Sequence, residues 1–110
     1  MICLFKKWCQ SKVKSISTAD LEDLLKDQNI TLLDVRTSQE YQRGHIKEAR
    51  PFPLSQIDSY QGSKDKTVYL ICQSGLRSKR AAGILAKKGY DVVNVRGGMS
   101  VYSGKIIGGK

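Results

Sequence analysis

The chain has 110 residues, 40% of them hydrophobic and 26% charged, and its 19 basic against 10 acidic residues give a formal net charge of +9. These values bound it to one globular domain with a single core, and no apolar run approaches the ~20 residues of a membrane-spanning helix. The three cysteines cannot all pair, which fits a reducing compartment.

The first nine residues, from Met1 to Cys9, hold too short an apolar stretch for a secretory signal, and their charges follow the apolar residues instead of preceding them. A cytoplasmic location is the expectation. Lys6, Lys7, Lys12 and Lys14 all precede the first acid, Asp20. Such a segment can touch nucleic acid or an anionic surface, but a solvated terminus is the simpler reading. Residues 1–12 are therefore expected to be a loosely ordered basic segment, 13–103 the domain, and 104–110 a flexible tail. Cys3 and Cys9, with no histidine nearby, make a poor zinc set and read as incidental.

In chain order, Val13 to Ile16 predicts a short strand. Ser17 to Asp20 reads as a capping box that opens a helix with Leu21, Leu24 and Leu25 on its apolar face. Ile30 to Val35 is compact and apolar, as in a strand buried on both faces. Ser38 to Arg43 predicts a short helix ended by Gly44. Pro51 and Pro53 demote Ala49 to Leu54 to an edge strand. Leu54 to Tyr60 predicts one or two helical turns, and Gly62 to Asp65 a turn. Thr67 to Ile71 is a strand, Leu76 to Lys88 a helix closed at Gly89, and Tyr90 to Val95 a last strand punctuated by Gly97 and Gly98. Strands alternating with helices imply a parallel α/β sheet, and such sheets bind ligands at the C-terminal ends of their strands.

Cys72 sits at such an end. It opens the run Cys72-Gln73-Ser74-Gly75-Leu76-Arg77-Ser78, between an apolar strand and a helix. Backbone N–H groups converge at that turn, and the helix dipole is positive there. Both favour thiolate, the attacking form. Gly75 lets the backbone curl closely, Arg77 adds a permanent cation, and Lys79 and Arg80 extend the positive field toward small anions. The alternative, a buried thiol that only packs, leaves the glycine, arginine and serine offsets unexplained.

This loop resembles the active-site loop of the rhodanese family, in which four residues separate Cys from Arg and Ser. Leu33-Asp34-Val35-Arg36, Glu40-Tyr41, Gly44-His45-Ile46, Ala49, Pro53-Leu54, Gly89-Tyr90 and Gly97-Gly98-Met99 also fall in that family's order and spacing, over roughly Lys14 to Tyr102. The resemblance implies an α/β, three-layer fold with a mainly parallel sheet of about five strands flanked by helices. It implies a sulfurtransferase that needs neither metal nor organic cofactor. Cys72 would attack the outer sulfur of a donor such as thiosulfate and hold it as a persulfide. It would then pass the sulfur to cyanide, a low-molecular-weight thiol or an acceptor protein. Gln73 to Ser78 would cradle the terminal sulfur, Arg77 would hold the loop, and Lys79 or Arg80 would guide the anion.

Asp34 and Arg36, at a strand end, could be a catalytic carboxylate and cation, or structural, with Asp34 accepting backbone hydrogen bonds and Arg36 pairing with Glu40. The resemblance favours Asp34, Arg36 and Glu40 as supports of the loop. His45 belongs to the scaffold. Tyr102 stands where family members often carry tryptophan, a departure that touches packing beside the site. Two alternatives stay open. One is a persulfide carrier or docking module that serves a single partner protein, with tRNA contact a weaker idea on basic charge alone. The other is a phosphatase or arsenate reductase, whose loops place five residues between Cys and Arg.

Overall fold

The computed structural model describes residues 13–27 and 29–109. The basic segment 1–12, with Cys3 and Cys9, and Lys110 lie outside the described residues. Five strands form the sheet: β1 (Lys14–Ile16), β2 (Thr31–Asp34), β3 (Ala49–Pro51), β4 (Val68–Ile71) and β5 (Val92–Val95). Their order is β1-β5-β4-β2-β3, and every pairing is parallel. The helices are α1 (Thr18–Asp27), α2 (Ser38–Arg43) and α3 (Leu76–Lys87), with 3-10 turns at Leu54–Ser59 and Gly98–Ser100. The central strands β4 and β2 are the apolar runs, as burial on both faces requires.

Alternation of side chains along the strands divides the core between the two faces. Leu33, Val35, Val68, Leu70, Cys72 and Val92 pack with Ala81, Ala82 and Leu85 of α3 and with Ile57. Leu32, Ile71 and Val95 pack on the other face with Leu21 of α1, Ile46 and Ala49. The cysteine is thus a continuation of the α3 side of β4, one residue past the strand.

The Ser17 box caps α1 as the sequence predicts: Asp20 N donates to Ser17 Oγ at 3.0 Å, and Ser17 N donates to Asp20 Oδ2 at 3.4 Å. Helix α2 carries a second box, in which Thr37 accepts from Glu40 N and Glu40 accepts from Thr37 N. Gly44 ends α2 in an extended conformation (φ 164°) and not in a left-handed cap. What it supplies is space, because a Cβ there would lie 3.1 Å from Ile106 Cδ1.

The expectation of a flexible tail over 104–110 needs correction. Ile107 and His45 exchange backbone hydrogen bonds at 2.8 Å in each direction, and Gly109 N donates to Gln42 O at 2.8 Å. Their unpaired backbone groups find partners on the chain around α2, so the segment is pinned there. Among the described residues no helix is long and apolar enough to cross a membrane.

Leu33 is fully buried in the centre of the sheet. Leu33→Ala is expected to cost about 2–5 kcal/mol of unfolding free energy. Urea titration checks this, and a shift within error would contradict the assigned core.

Candidate active site

β4 delivers Cys72 to the C-terminal edge of the sheet, and the loop turns at once into α3. Gly75, the N-cap residue, takes a left-handed conformation (φ 101°), which glycine adopts without steric cost. That turn aims two amides at the sulfur. Gly75 N donates to Cys72 Sγ at 3.0 Å, and Ser78 N donates at 3.3 Å. The N–H groups of Leu76 and Arg77, in the first turn of α3, have no acceptor within the helix.

Three of the loop carbonyls are engaged elsewhere. Cys72 O accepts from Met99 N and Gln73 O from Ser100 N, both at 2.8 Å. Gly75 O accepts from Lys79 N at 3.1 Å, from Ser78 Oγ at 3.2 Å and from Asn94 Nδ2 at 3.3 Å. The Ser78 hydroxyl also lies against Asn94 Oδ1. The close seating of the Gly98–Ser100 turn depends on Gly98 (φ 58°), where a Cβ would collide with Cys72 O. Asn94, Gly98, Met99 and Ser100 are therefore structural partners of the loop that the sequence reading did not assign. An asparagine in the otherwise all-valine run Val92-Val93-Asn94-Val95 was the available signal, since a buried polar group needs hydrogen-bond partners.

Cys72 is fully buried. Burial pushes its thiol up, but the Ser78 hydroxyl and the N–H groups of Ser78, Gly75 and Ser74 together outweigh it, so the thiol lies below the ordinary cysteine value. Hydrogen bonds to the charged form stabilise thiolate where solvent cannot.

The two arginines near the loop are paired, in a pattern that corrects one expectation. Arg36 does not pair with Glu40. Its Nη2 meets Asp34 Oδ2 at 2.8 Å and Gly44 O at 2.7 Å, and its Nη1 reaches Gln73 Oε1 at 3.4 Å. Residues two apart on an extended segment project to the same side, which places Asp34 and Arg36 together. Glu40 instead takes Arg77 in a two-pronged pair, Nη1 to Oε1 at 2.7 Å and Nη2 to Oε2 at 2.9 Å. The Arg77 hydrogen bond is the main reason the Glu40 carboxyl is lowered to about 2, with Thr37 adding to it against a burial penalty.

Leu76, Lys79 and Arg80 are exposed on the first turns of α3, and Gln73 and Ser74 are exposed in the loop. His45 is buried, stacked on Tyr41 with ring centroids 3.7 Å apart, and its Nδ1 lies 2.7 Å from Tyr41 O. Tyr102 packs on the α1 side of the sheet. Among the described residues no cluster of three His, Cys, Asp or Glu side chains could hold a metal ion. A cavity of about 400 Å³ beside the loop is lined by Arg36, Glu40, Arg43, Gln73, Met99 and Ile106, with Gly44.

The family model for the rhodanese-like domain matches residues 17–105. The chain belongs to the rhodanese-like domain family. It is 45% identical over 78 residues to the uncharacterized protein YqhL of Bacillus subtilis, covering 68% of this chain and 62% of that protein, less than two thirds of its length. It is 35% identical over 97 residues to the putative sulfurtransferase YtwF of Bacillus subtilis, covering 86% of this chain and 94% of that one. Among solved structures, a rhodanese-like domain protein from Staphylococcus aureus superposes with a TM-score of 0.80 at 31% identity, over 89% of this chain and all of the other. The five-stranded parallel sheet with flanking helices is thus the fold of the rhodanese-like domain.

Three measurements check the geometry. The iodoacetamide alkylation rate at Cys72, followed by peptide mass mapping across pH, should rise with a midpoint below the ~8.5 of an ordinary cysteine, and Ser78→Ala should move that midpoint up. A midpoint at or above the ordinary value would contradict the amide account. Glu40→Gln should cost no more than about 1 kcal/mol at neutral pH, because both partners are partly exposed. A carboxylate held at about 2 contributes fully above its unfolded value and loses the contribution as pH falls through about 2. The stability gap between wild type and variant should therefore close near pH 2, and a gap that persists there would contradict the pairing. Gly98→Ala, at positive φ and against Cys72 O, should cost roughly 1–3 kcal/mol and slow alkylation of Cys72. Unchanged thermal stability would mean that the turn is not clamped on the loop.

Proposed function

We propose that the protein is a sulfurtransferase that moves a sulfane sulfur from a small donor anion such as thiosulfate to a thiophilic acceptor through a persulfide on Cys72. The observation that carries this reading is the buried sulfur of Cys72 under converging N–H groups of its own loop. In the first half-reaction the Cys72 thiolate attacks the outer sulfur of thiosulfate. A new S–S bond forms, the bond to the sulfite sulfur breaks, and sulfite leaves with that electron pair. The terminal sulfur of the persulfide is anionic, and the loop amides are the groups that would stabilise it.

In the second half-reaction cyanide, or an acceptor thiolate, attacks that terminal sulfur. The electron pair of the S–S bond returns to Cys72 as thiolate, and the sulfur leaves as thiocyanate or as the acceptor's persulfide. No metal or organic cofactor takes part in either step. Gln73, Ser74, Gly75, Leu76, Arg77 and Ser78 form the cradle. Arg77 holds the loop through Glu40, while Arg36 with Asp34 braces Gln73. Lys79 and Arg80 guide the anion. A reducing compartment, the cytoplasm, keeps the thiolate usable.

The relationship to YtwF, named a putative sulfurtransferase, supports the reading. Four residues between Cys72 and Arg77 make a tighter cradle than a phosphatase loop with five, and suit one sulfur better than a tetrahedral phosphate. Thiocyanate formation from thiosulfate and cyanide should be abolished in Cys72→Ser while far-UV circular dichroism is unchanged. Retained turnover in that variant, or brisk Cys72-dependent hydrolysis of an aryl phosphate, would overturn the proposal.

A further inference from the structure

Large apolar side chains that remain exposed among the described residues are Leu76 (75% exposed), Val101 (59%), Ile106 (51%) and Ile107 (37%). Single exposed leucines are ordinary, but a contiguous apolar group is not. Three of them, Leu76, Val101 and Ile106, gather at the Cys72 loop. Leu76 is part of the loop. Val101 lies against Gly97, and a Cβ on the loop's Gly75 would come 3.2 Å from Gly97 N. On the other side Ile106 lines the cavity with Gln73 and Met99, whereas Ile107 lines a separate cavity with Glu22, Glu48 and Tyr102. An apolar collar of these three side chains, Leu76, Val101 and Ile106, thus flanks the loop that holds the buried sulfur.

The unpaired charges near these three side chains have one sign. Arg43 lines the cavity, Lys79 and Arg80 follow Leu76 on α3, and Arg96 precedes Gly97. None of these four is in an ion pair among the described residues. The acid of this rim, Glu40, is occupied by Arg77 on both oxygens. Thiosulfate or cyanide has no use for an apolar collar. A protein surface does, and charge complementarity requires that it be acidic.

Resting on the sulfurtransferase reading, we infer that the collar of Leu76, Val101 and Ile106 with its cationic rim docks an acidic protein that presents a cysteine on a protruding segment, and that this cysteine takes the sulfur. A protruding segment is required because Cys72 is fully buried, so a thiol set flat in a globular surface cannot approach the persulfide. The partner thiolate attacks the terminal sulfur, forming its own S–S bond. The bond to Cys72 breaks, and the electron pair stays on Cys72 under the loop amides. Charge and sulfur oxidation state are conserved overall, and no outside oxidant or reductant enters.

The test loads Cys72 with sulfur from thiosulfate and compares two synthetic peptides as acceptors. Each has one cysteine flanked by leucines; one carries aspartates and the other lysines. Rates of sulfur removal are compared per thiolate, because the flanking charges also move the peptide thiol. The acidic peptide is expected to react about tenfold faster at low salt, with the advantage shrinking as salt rises. Val101→Ser combined with Arg96→Glu should remove that advantage while leaving the rate with cyanide unchanged. Equal rates for both peptides, or a variant that slows cyanide as much as peptide, would overturn the docking inference while the persulfide chemistry stands. Equal peptide rates together with salt-sensitive adsorption to phosphatidylglycerol vesicles through the same residues would overturn it in favour of a membrane surface. Failure to load Cys72 at all, with the thiol shown to be reduced, would bring down both readings.

Discussion

The amides that face Cys72 Sγ belong to a loop held in place through its carbonyls at Cys72, Gln73 and Gly75. These three carbonyls have fixed partners. Met99 N and Ser100 N hold Cys72 O and Gln73 O. Asn94 and the first turn of α3 hold Gly75 O. Two glycines make this possible in different ways. Gly75 supplies the left-handed turn, and Gly98 supplies the closeness of the clamp. Sheet, α3 and the Gly98–Ser100 turn therefore serve one end, a fixed set of dipoles aimed at a buried sulfur. Such a site costs little reorganisation when charge appears in it.

Free cations contribute less than a count of basic residues implies. Arg36 is neutralised by Asp34 and Arg77 by Glu40. Their guanidinium groups act as struts: one joins β2, Gly44 and Gln73, and the other joins α2 to the loop. Breaking either would leave a carboxylate without its partner at the base of the loop. The cations Arg43, Lys79, Arg80 and Arg96, in no ion pair among the described residues, stand apart from the sulfur on the rim.

Local signals carried much of the fold. Alternation of apolar strands with helices gave the parallel sheet, and strand–loop–helix context placed Cys72 at its C-terminal edge. The Ser17 box is legible locally, and the Thr37-Ser38-Gln39-Glu40 pattern that caps α2 carries the same signal. Other features depend on contacts distant in sequence. Glu40 meets Arg77 across 37 positions, so no local pattern could choose it over Arg36. The segment after Gly104 looks like a loose, glycine-rich end until its backbone finds His45 and Gln42. Gly44 ends α2 as its sequence position suggests, but the space it leaves for Ile106 depends on a contact distant in sequence.

The most direct test of the amide-cradled sulfur is intact mass of the purified protein after brief incubation with thiosulfate, followed by cyanide. The predicted result is a gain of one sulfur atom, mapped by peptide fragmentation to Cys72 and lost on adding cyanide. A sulfur found on Cys3 or Cys9 instead, or none at all with Cys72 shown to be reduced beforehand, would contradict it.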